Sequence, residues 1–364
     1  MQANWYQIQN VDELDSPALV IYPERVKENI HTLKGMIDDP QRLRPHAKTH
    51  KTKEATQLML AAGISKFKCA TIAEAEMLAM CGAPDVLLAY QPIGPKLKRF
   101  VQLTQQYPAT QFACLVDNTT SAQAIANAFA AAGSTIAVYI DLNVGQNRTG
   151  ITPGENAVAL YTWCAQASGL SMAGLHAYDG HTRGTFEERK AASDAAFAQA
   201  ASMQKTLQSM GFSNIKMVAG GSPSFPIHAQ RTAVECSPGT FVFWDKNYQD
   251  QCPEQPFHIA AMVVTRVISL PDPTHICVDL GHKSVAAENE IGKRVFFPGA
   301  PDLKPVSQSE EHLVLYAGEN HSYQPGDVLY GMPYHVCPTI ALYERAYLVE
   351  RGKLSGEWKI VARD

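Results

Sequence analysis

A lysine stands between two histidines in 43-LRPHAKTHK-51, with an arginine and a proline just upstream. On an extended segment side chains alternate, so Arg44, His46, Lys48 and His50 share one face while Pro45, Ala47 and Thr49 take the other. Standing alone, such a run reads most simply as a solvated basic rim or an anion-binding patch, because Lys and Arg are mostly exposed. Inside a cavity the same lysine has a different chemistry. Its ammonium can lose the proton, and the free amine attacks an aldehyde to form an imine.

Four further stretches carry chemistry-bearing residues. In 219-AGGSPSF-225 consecutive glycines let backbone N–H groups face an anion, and Ser222 and Ser224 add hydroxyl donors, which together suit a phosphate. The step 238-PGT-240 is a candidate second part of that cradle. In 145-GQNRTG-150, Arg148 lies in a glycine-flanked loop after Asp141 and Asn143; alone it is a surface loop. In 176-HAYDGH-181 two histidines, Tyr178 and an aspartate cluster. The fourth, 331-GMPYHVCPTI-340, places His335 and Cys337 two apart, so that on an extended segment both point the same way and can share one metal ion. An isolated HxC is a weak pattern, since both residue types are common in cores.

The elements between these stretches supply an arrangement. The sequence predicts strands near 43–48, 66–71, 85–90, 111–117, 135–143, 171–180, 215–221 and 234–241. Amphipathic helical runs such as TIAEAEMLAMCG and NTTSAQAIANAFAAAG separate them, several closed by glycine. Eight strands alternating with helices is the count of a (β/α)8 barrel, whose active sites form at the C-terminal ends of the strands. Lys48, Thr71, Tyr90, Asp117, Asn143, Tyr178 and Ser222 all fall at or just past predicted strand ends. A single Thr or Tyr there is more often a cap or a packing residue, so the weight lies in their joint placement around Lys48. From about residue 250 the texture changes to short strand-like runs (FHIAAMVVTRVISL, HICVDLG, HLVLYAG, DVLYGMP) with Pro- and Gly-rich joints. The expected division is a barrel over 16–248 and a β-rich domain over 249–364, with residues 1–15 packed against the latter.

Composition narrows the partners. The chain has 364 residues, 46% hydrophobic content and a net charge of −4, which gives no basic footprint for nucleic acid. No apolar run approaches the roughly 20 residues of a membrane span, and the N-terminus lacks a signal core, so a cytoplasmic protein is expected. Its eight cysteines contain no CxxC pair and read as reduced thiols. Small molecules and copies of the chain itself remain as partners.

Taken together, RPHAKTHK, KCATIAEAE, LAYQPIGPKL, GQNRTG, HAYDGH, GGSPSFP, ECSPGTFVFWD, DLGHK, SEEH and HVCPT resemble the D-threonine aldolase and D-serine dehydratase family of pyridoxal-phosphate enzymes, from about residue 16 to the C-terminus. That resemblance implies fold type III, an alanine racemase-like barrel followed by a β domain, paired as a homodimer. It implies that Lys48 carries pyridoxal 5'-phosphate as an imine, with His46 and Thr71 beside it. Gly221–Ser222 and Gly239–Thr240 would hold the phosphate, and Arg148 and Tyr178 would meet the ring. His335 and Cys337 would bind a divalent metal (Zn, Mn or Mg), with His335 also serving catalysis. The implied substrate is a D-3-hydroxy amino acid. Within the family an Asp at the second metal position goes with aldolases and a Cys with dehydratases, so Cys337 leans toward a D-serine or D-3-hydroxyaspartate dehydratase. HAYDGH and SPGTFVFWD look closer to proteins grouped with the aldolases, which puts retro-aldol cleavage to glycine and an aldehyde first. A metal-free amino-acid racemase and a non-catalytic pyridoxal-phosphate-binding protein are the remaining alternatives.

Overall fold

The computed structural model describes residues 5–363. These fall into two compact units: one built from residues 33–48, 56–239 and 362–363, the other from residues 5–32, Thr49–Ala55 and Thr240–Val361.

In the first unit, parallel strands follow one another in chain order: Lys66–Cys69, Asp85–Leu88, Gln111–Val116, Ile136–Leu142, Leu170–Ala177, Lys216–Ala219 and Val234–Cys236. Residues 43–47 close the ring. Leu43 bridges Cys236 and His46 bridges Lys68, both in parallel sense. Arg44 N donates to Cys236 O at 2.8 Å, and Lys68 N donates to Pro45 O at 2.8 Å. The predicted first strand is therefore present as an eighth stave, without a regular ladder, because Pro45 and Pro238 have no N–H to donate. Polar side chains start the intervening helices. Asn118 accepts from Ser121 N ahead of Thr119–Ala131, and Thr185 with Glu188 forms a reciprocal box ahead of Phe186–Ser209. Gly133 (φ 65°) and Gly211 (φ 94°) end those two helices in the left-handed conformation that glycine adopts freely.

Leu87, Ala113, Leu115, Tyr139 and Val218 form a buried apolar cluster among the strands. At the opposite, N-terminal end of the strands sits Arg44, fully buried. Its Nη1 and Nη2 reach both oxygens of Asp85 (2.6 and 3.1 Å), and its Nε reaches Glu235 at 2.7 Å. Arg44 thus ties the closing stave to its surroundings at that end. Removing Arg44 takes the guanidinium from Asp85 and leaves Glu235 with Lys66, and breaking such a buried pair costs about 3–5 kcal/mol. Arg44→Met should accordingly lower unfolding free energy by that amount in a denaturant titration, whereas a loss under 1 kcal/mol would mean the carboxylates are solvated.

The second unit is a mixed sheet around Ala261–Asp272, which pairs with His275–Val278 and with Val328–Pro333. Val263, Val267, Ile276, Val278, Leu313 and Leu315 lie in its core. Two expectations change here. Ala18–Ile21, inside the span 16–248 assigned to the barrel, is a strand of this sheet. It runs antiparallel to Ala261–Asp272 and parallel to Arg345–Glu350, which buries all four of its residues. The segment carrying the late histidine and cysteine is not extended: Val336–Ala341 is a short helix with His335 at its N-cap. Pro338 falls within its first turn, where a missing N–H costs nothing. No described helix is long and apolar enough to cross a membrane.

Candidate active site

A cavity of about 290 Å³ opens at the C-terminal ends of the barrel strands, lined among others by His46, Lys48, Lys68, Arg148, His176 and Tyr178. That is near the lower end of the ~300–1,000 Å³ usual for small-ligand sites. Lys48 follows the closing stave in a turn whose backbone N donates to His46 Nδ1 at 3.2 Å. The chain then bends away, so His50 does not share the face of Lys48. It is buried in the other unit, with burial pushing its pKa down to about 3. Of the loaded face expected from alternation, His46 and Lys48 reach the cavity while Arg44 and His50 do not.

Tyr178 follows the Leu170–Ala177 strand, and the Arg148 guanidinium lies 5.2 Å from its ring centre. A Cβ added at Gly221 would come within 2.9 Å of Tyr178 Cε2, so that position must stay glycine for the turn and the ring to lie together. The Tyr178 ring therefore connects the cavity to the 219–225 turn. Ser222 Oγ accepts from Gly239 N at 3.2 Å, which brings the two predicted cradle elements side by side. Ser237, 3% exposed, has a buried Oγ that meets no partner among the described residues. An unsatisfied buried hydroxyl beside a glycine turn is the donor chemistry of a phosphate site. Thr240 is buried and belongs to the other unit, where its Oγ1 lies 3.8 Å from Cys337 Sγ. Thr71 adjoins the lining residue Ala70, but its hydroxyl accepts from Glu74 N and caps helix Ile72–Met80.

Several residues not singled out by the sequence hold this frame. Asp179 accepts from Ser224 Oγ (2.5 Å), Ser193 Oγ (2.7 Å) and His228 Nε2 (2.8 Å), and Ser224 Oγ in turn accepts from Gly221 N at 3.3 Å. Burial opposes its charge, yet the His228 hydrogen bond and the serines hold its carboxyl below the usual range. The 219–225 turn is thus braced from beneath by a charged acceptor. Its signal was the aspartate inside HAYDGH, whose partners come from distant segments. Within the cavity, His176 Nδ1 meets Asp141 Oδ1 at 2.7 Å and Lys68 Nζ lies 3.4 Å from His176 Nε2. Burial first, and then the neighbouring Lys68, lowers the pKa of His176.

In the other unit, His335 and Cys337 do come together, since the thiol hydrogen bonds the imidazole. His335 Nδ1 also pairs with the Glu288 carboxylate, and Thr49 Oγ1 lies 3.1 Å from Cys337 Sγ. A carboxylate on one ring nitrogen is how a metal-ligating histidine is commonly oriented. One imidazole and one thiol suit a divalent ion with a taste for soft ligands. Among the described residues no group of three or more His, Cys, Asp or Glu is placed to hold a metal ion, so protein donors number fewer than the three typical of catalytic zinc. A larger groove of about 1030 Å³ between helices Glu155–Gln166 and Phe186–Ser209 has Glu155 as its one charged lining residue and holds no comparable chemistry.

Comparison with known proteins gives two family matches: "Alanine racemase, N-terminal domain" over residues 21–246, and "Putative serine dehydratase domain" over residues 260–349. A D-threonine aldolase of Arthrobacter sp. is 31% identical over 360 residues, spanning 96% of this chain and 93% of that protein. A 3-hydroxy-D-aspartate aldolase of Paracoccus denitrificans (strain Pd 1222) is 27% identical, spanning 96% and 92%. The crystal structure of a D-threonine aldolase from Filomicrobium marinum superposes with a TM-score of 0.90 at 29% identity, covering 98% of both chains.

Proposed function

We infer the function from one premise: this chain belongs to the fold-type III family of pyridoxal-phosphate enzymes, with an alanine racemase-like barrel. We propose that it is a lyase that cleaves D-3-hydroxy amino acids of the D-threonine type to glycine and an aldehyde. What supports this most is Lys48 at the mouth of a strand-end cavity that also presents Arg148 and Tyr178, with the Gly221–Ser222 turn against the tyrosine ring.

The residues present fit the cofactor. Lys48 Nζ would hold its carbonyl carbon, Arg148 and Tyr178 would orient the ring, and the Gly221–Ser222 and Gly239–Thr240 steps would receive the phosphate, with Ser237 as a further hydroxyl donor. When bound, pyridoxal phosphate supplies an electron sink that lets a bond to Cα break heterolytically. His335 and Cys337 would hold a divalent ion, whose contribution is Lewis acidity toward the β-hydroxyl. Glu288 on His335 keeps the imidazole oriented. Bond choice then decides the outcome. If the Cα–Cβ bond breaks, the products are glycine and an aldehyde. If Lys48 Nζ takes the Cα proton and the hydroxyl departs, the products are a 2-oxo acid and ammonia. The names of the two aldolase relatives favour the first; Cys337 and the match of residues 260–349 to a dehydratase domain favour the second.

One assay separates them. Purified holoenzyme with divalent metal is given D- and L-threonine and D- and L-serine at equal concentration, and glycine, aldehyde, 2-oxo acid and ammonia are measured. Glycine with acetaldehyde from D-threonine alone is expected. A 2-oxo acid as main product would install the dehydratase, and comparable turnover of L forms would remove the assigned handedness.

A further inference from the structure

Lysines in barrel interiors are unusual, because an ammonium loses most of its hydration there. Lys68 is 3% exposed, lies on the strand Lys66–Cys69 beside the closing stave, and lines the same cavity as Lys48. Its bridge partner in the stave is His46, two residues before Lys48. The side chain reaches His176 Nε2 (3.4 Å), and His176 Nδ1 is fixed on Asp141 (2.7 Å), so a Lys–His–Asp line crosses the barrel from one strand to two others. With Nδ1–H donated to Asp141, Nε2 is left as an acceptor for Lys68. This arrangement holds the amine in place in either protonation state, and nothing assigned to Lys48, Arg148 or the cradle makes use of it.

The groups around Lys68 set its charge. Lys48 and Arg44 come from the closing stave, and Arg44 is already paired with Asp85 and Glu235. Asp141 faces Lys68 from one strand and His176 from the next. Asp117 is engaged by Gln91, Asp179 by its serines and His228, and Arg148 stands over Tyr178. Burial, followed by the Lys48 charge, outweighs the attraction of Asp141 and brings Lys68 down to about 7.

We propose that Lys68 is a second working amine of this cavity, which accepts the proton that the substrate's ammonium must lose before its nitrogen attacks the carbon held by Lys48. In that step a substrate N–H bond breaks and a Lys68 N–H bond forms. The substrate nitrogen keeps the electron pair, and Lys68 carries the charge against His176 and Asp141. The inference rests on the proposed pyridoxal-phosphate site but not on the fate of the β-hydroxyl, which makes D-alanine, lacking that hydroxyl, the informative probe.

The test follows the visible absorbance change when holoenzyme is mixed with D-alanine in a stopped-flow instrument between pH 5.5 and 9. Neutral Lys68 is the acceptor, so the rate should fall with decreasing pH as Lys68 takes up its proton, about tenfold per pH unit below that midpoint. Lys68→Met and Lys68→Arg should both retain the cofactor and its absorbance, lose that midpoint, and react on the order of 10²-fold more slowly at pH 8.5. Arginine keeps the charge yet cannot release a proton in this range, so it separates proton transfer from mere charge or packing. Wild-type rates in Lys68→Arg would overturn the proposal. So would a wild-type profile with no such limb between pH 5.5 and 9, which needs no variant to fold. An enzyme that produces neither aldehyde nor 2-oxo acid from D-threonine would refute the lyase reading and leave this measurement standing.

Discussion

Lys48→Ala should leave a folded barrel that no longer fixes pyridoxal phosphate and no longer turns over D-threonine. The expected loss is on the order of 10⁴-fold or more in kcat, the scale seen when a residue forming a covalent intermediate is removed. Stability should change little, because Lys48 is solvent-accessible and sits in a turn after the closing stave. The visible absorbance that develops when wild-type protein takes up the cofactor should be absent from the variant, and a wild-type spectrum would move the attachment point elsewhere. Arg44 makes the contrasting case on the same segment: its loss should cost stability without touching the cofactor, since its partners Asp85 and Glu235 lie at the far end of the strands.

The second large effect concerns the metal. Exhaustive chelation, or His335→Ala, should cut turnover of D-threonine by about 10²–10⁴-fold, the equivalent of the several kcal/mol that Lewis-acid assistance supplies. The bound cofactor's absorbance should persist, because the ion is proposed to act on the β-hydroxyl and not on the ring that Lys48, Arg148 and Tyr178 would hold. With only two protein donors proposed, and no group of three His, Cys, Asp or Glu placed to hold a metal ion among the described residues, the ion should come away readily. Adding back Zn, Mn or Mg in turn identifies the ion that restores activity, and Cys337 leads us to expect zinc to bind most tightly. Elemental analysis showing negligible metal together with full activity would exclude the role and bring a metal-free racemase forward.

Much of the barrel could be read from the chain because its signals are local. Strand-like runs alternate with helical ones, and glycines such as Gly133 mark helix ends. The strand-end rule picked out Lys48, Tyr90 and Tyr178 and the resemblance added His46 and Arg148, and all five line one cavity. What escaped depends on distant partners. Ala18–Ile21 is four apolar residues, equally suited to a barrel stave or to a sheet edge, and pairing with Ala261–Asp272 and Arg345–Glu350 decides the matter. The two-residue spacing of His335 and Cys337 suits an extended segment, yet Val336–Ala341 is a helix, with Pro338 where a helix tolerates it. Lys68 and Asp141 look like ordinary strand residues until His176 is seen between them, and Asp179 shows its bracing role only through Ser193, Ser224 and His228. Thr71 shows the converse, a strand-end hydroxyl whose hydrogen bond caps a helix.

The attachment point of the cofactor is the most direct test of the whole assignment. Holoenzyme reduced with borohydride, digested and mapped by mass spectrometry should carry the pyridoxyl group on the peptide containing Lys48 and on no other, with loss of the visible absorbance in proportion. Label on Lys68, which lines the same cavity, or on Lys51 or Lys53 would contradict the assignment of Lys48 as the residue that holds pyridoxal phosphate.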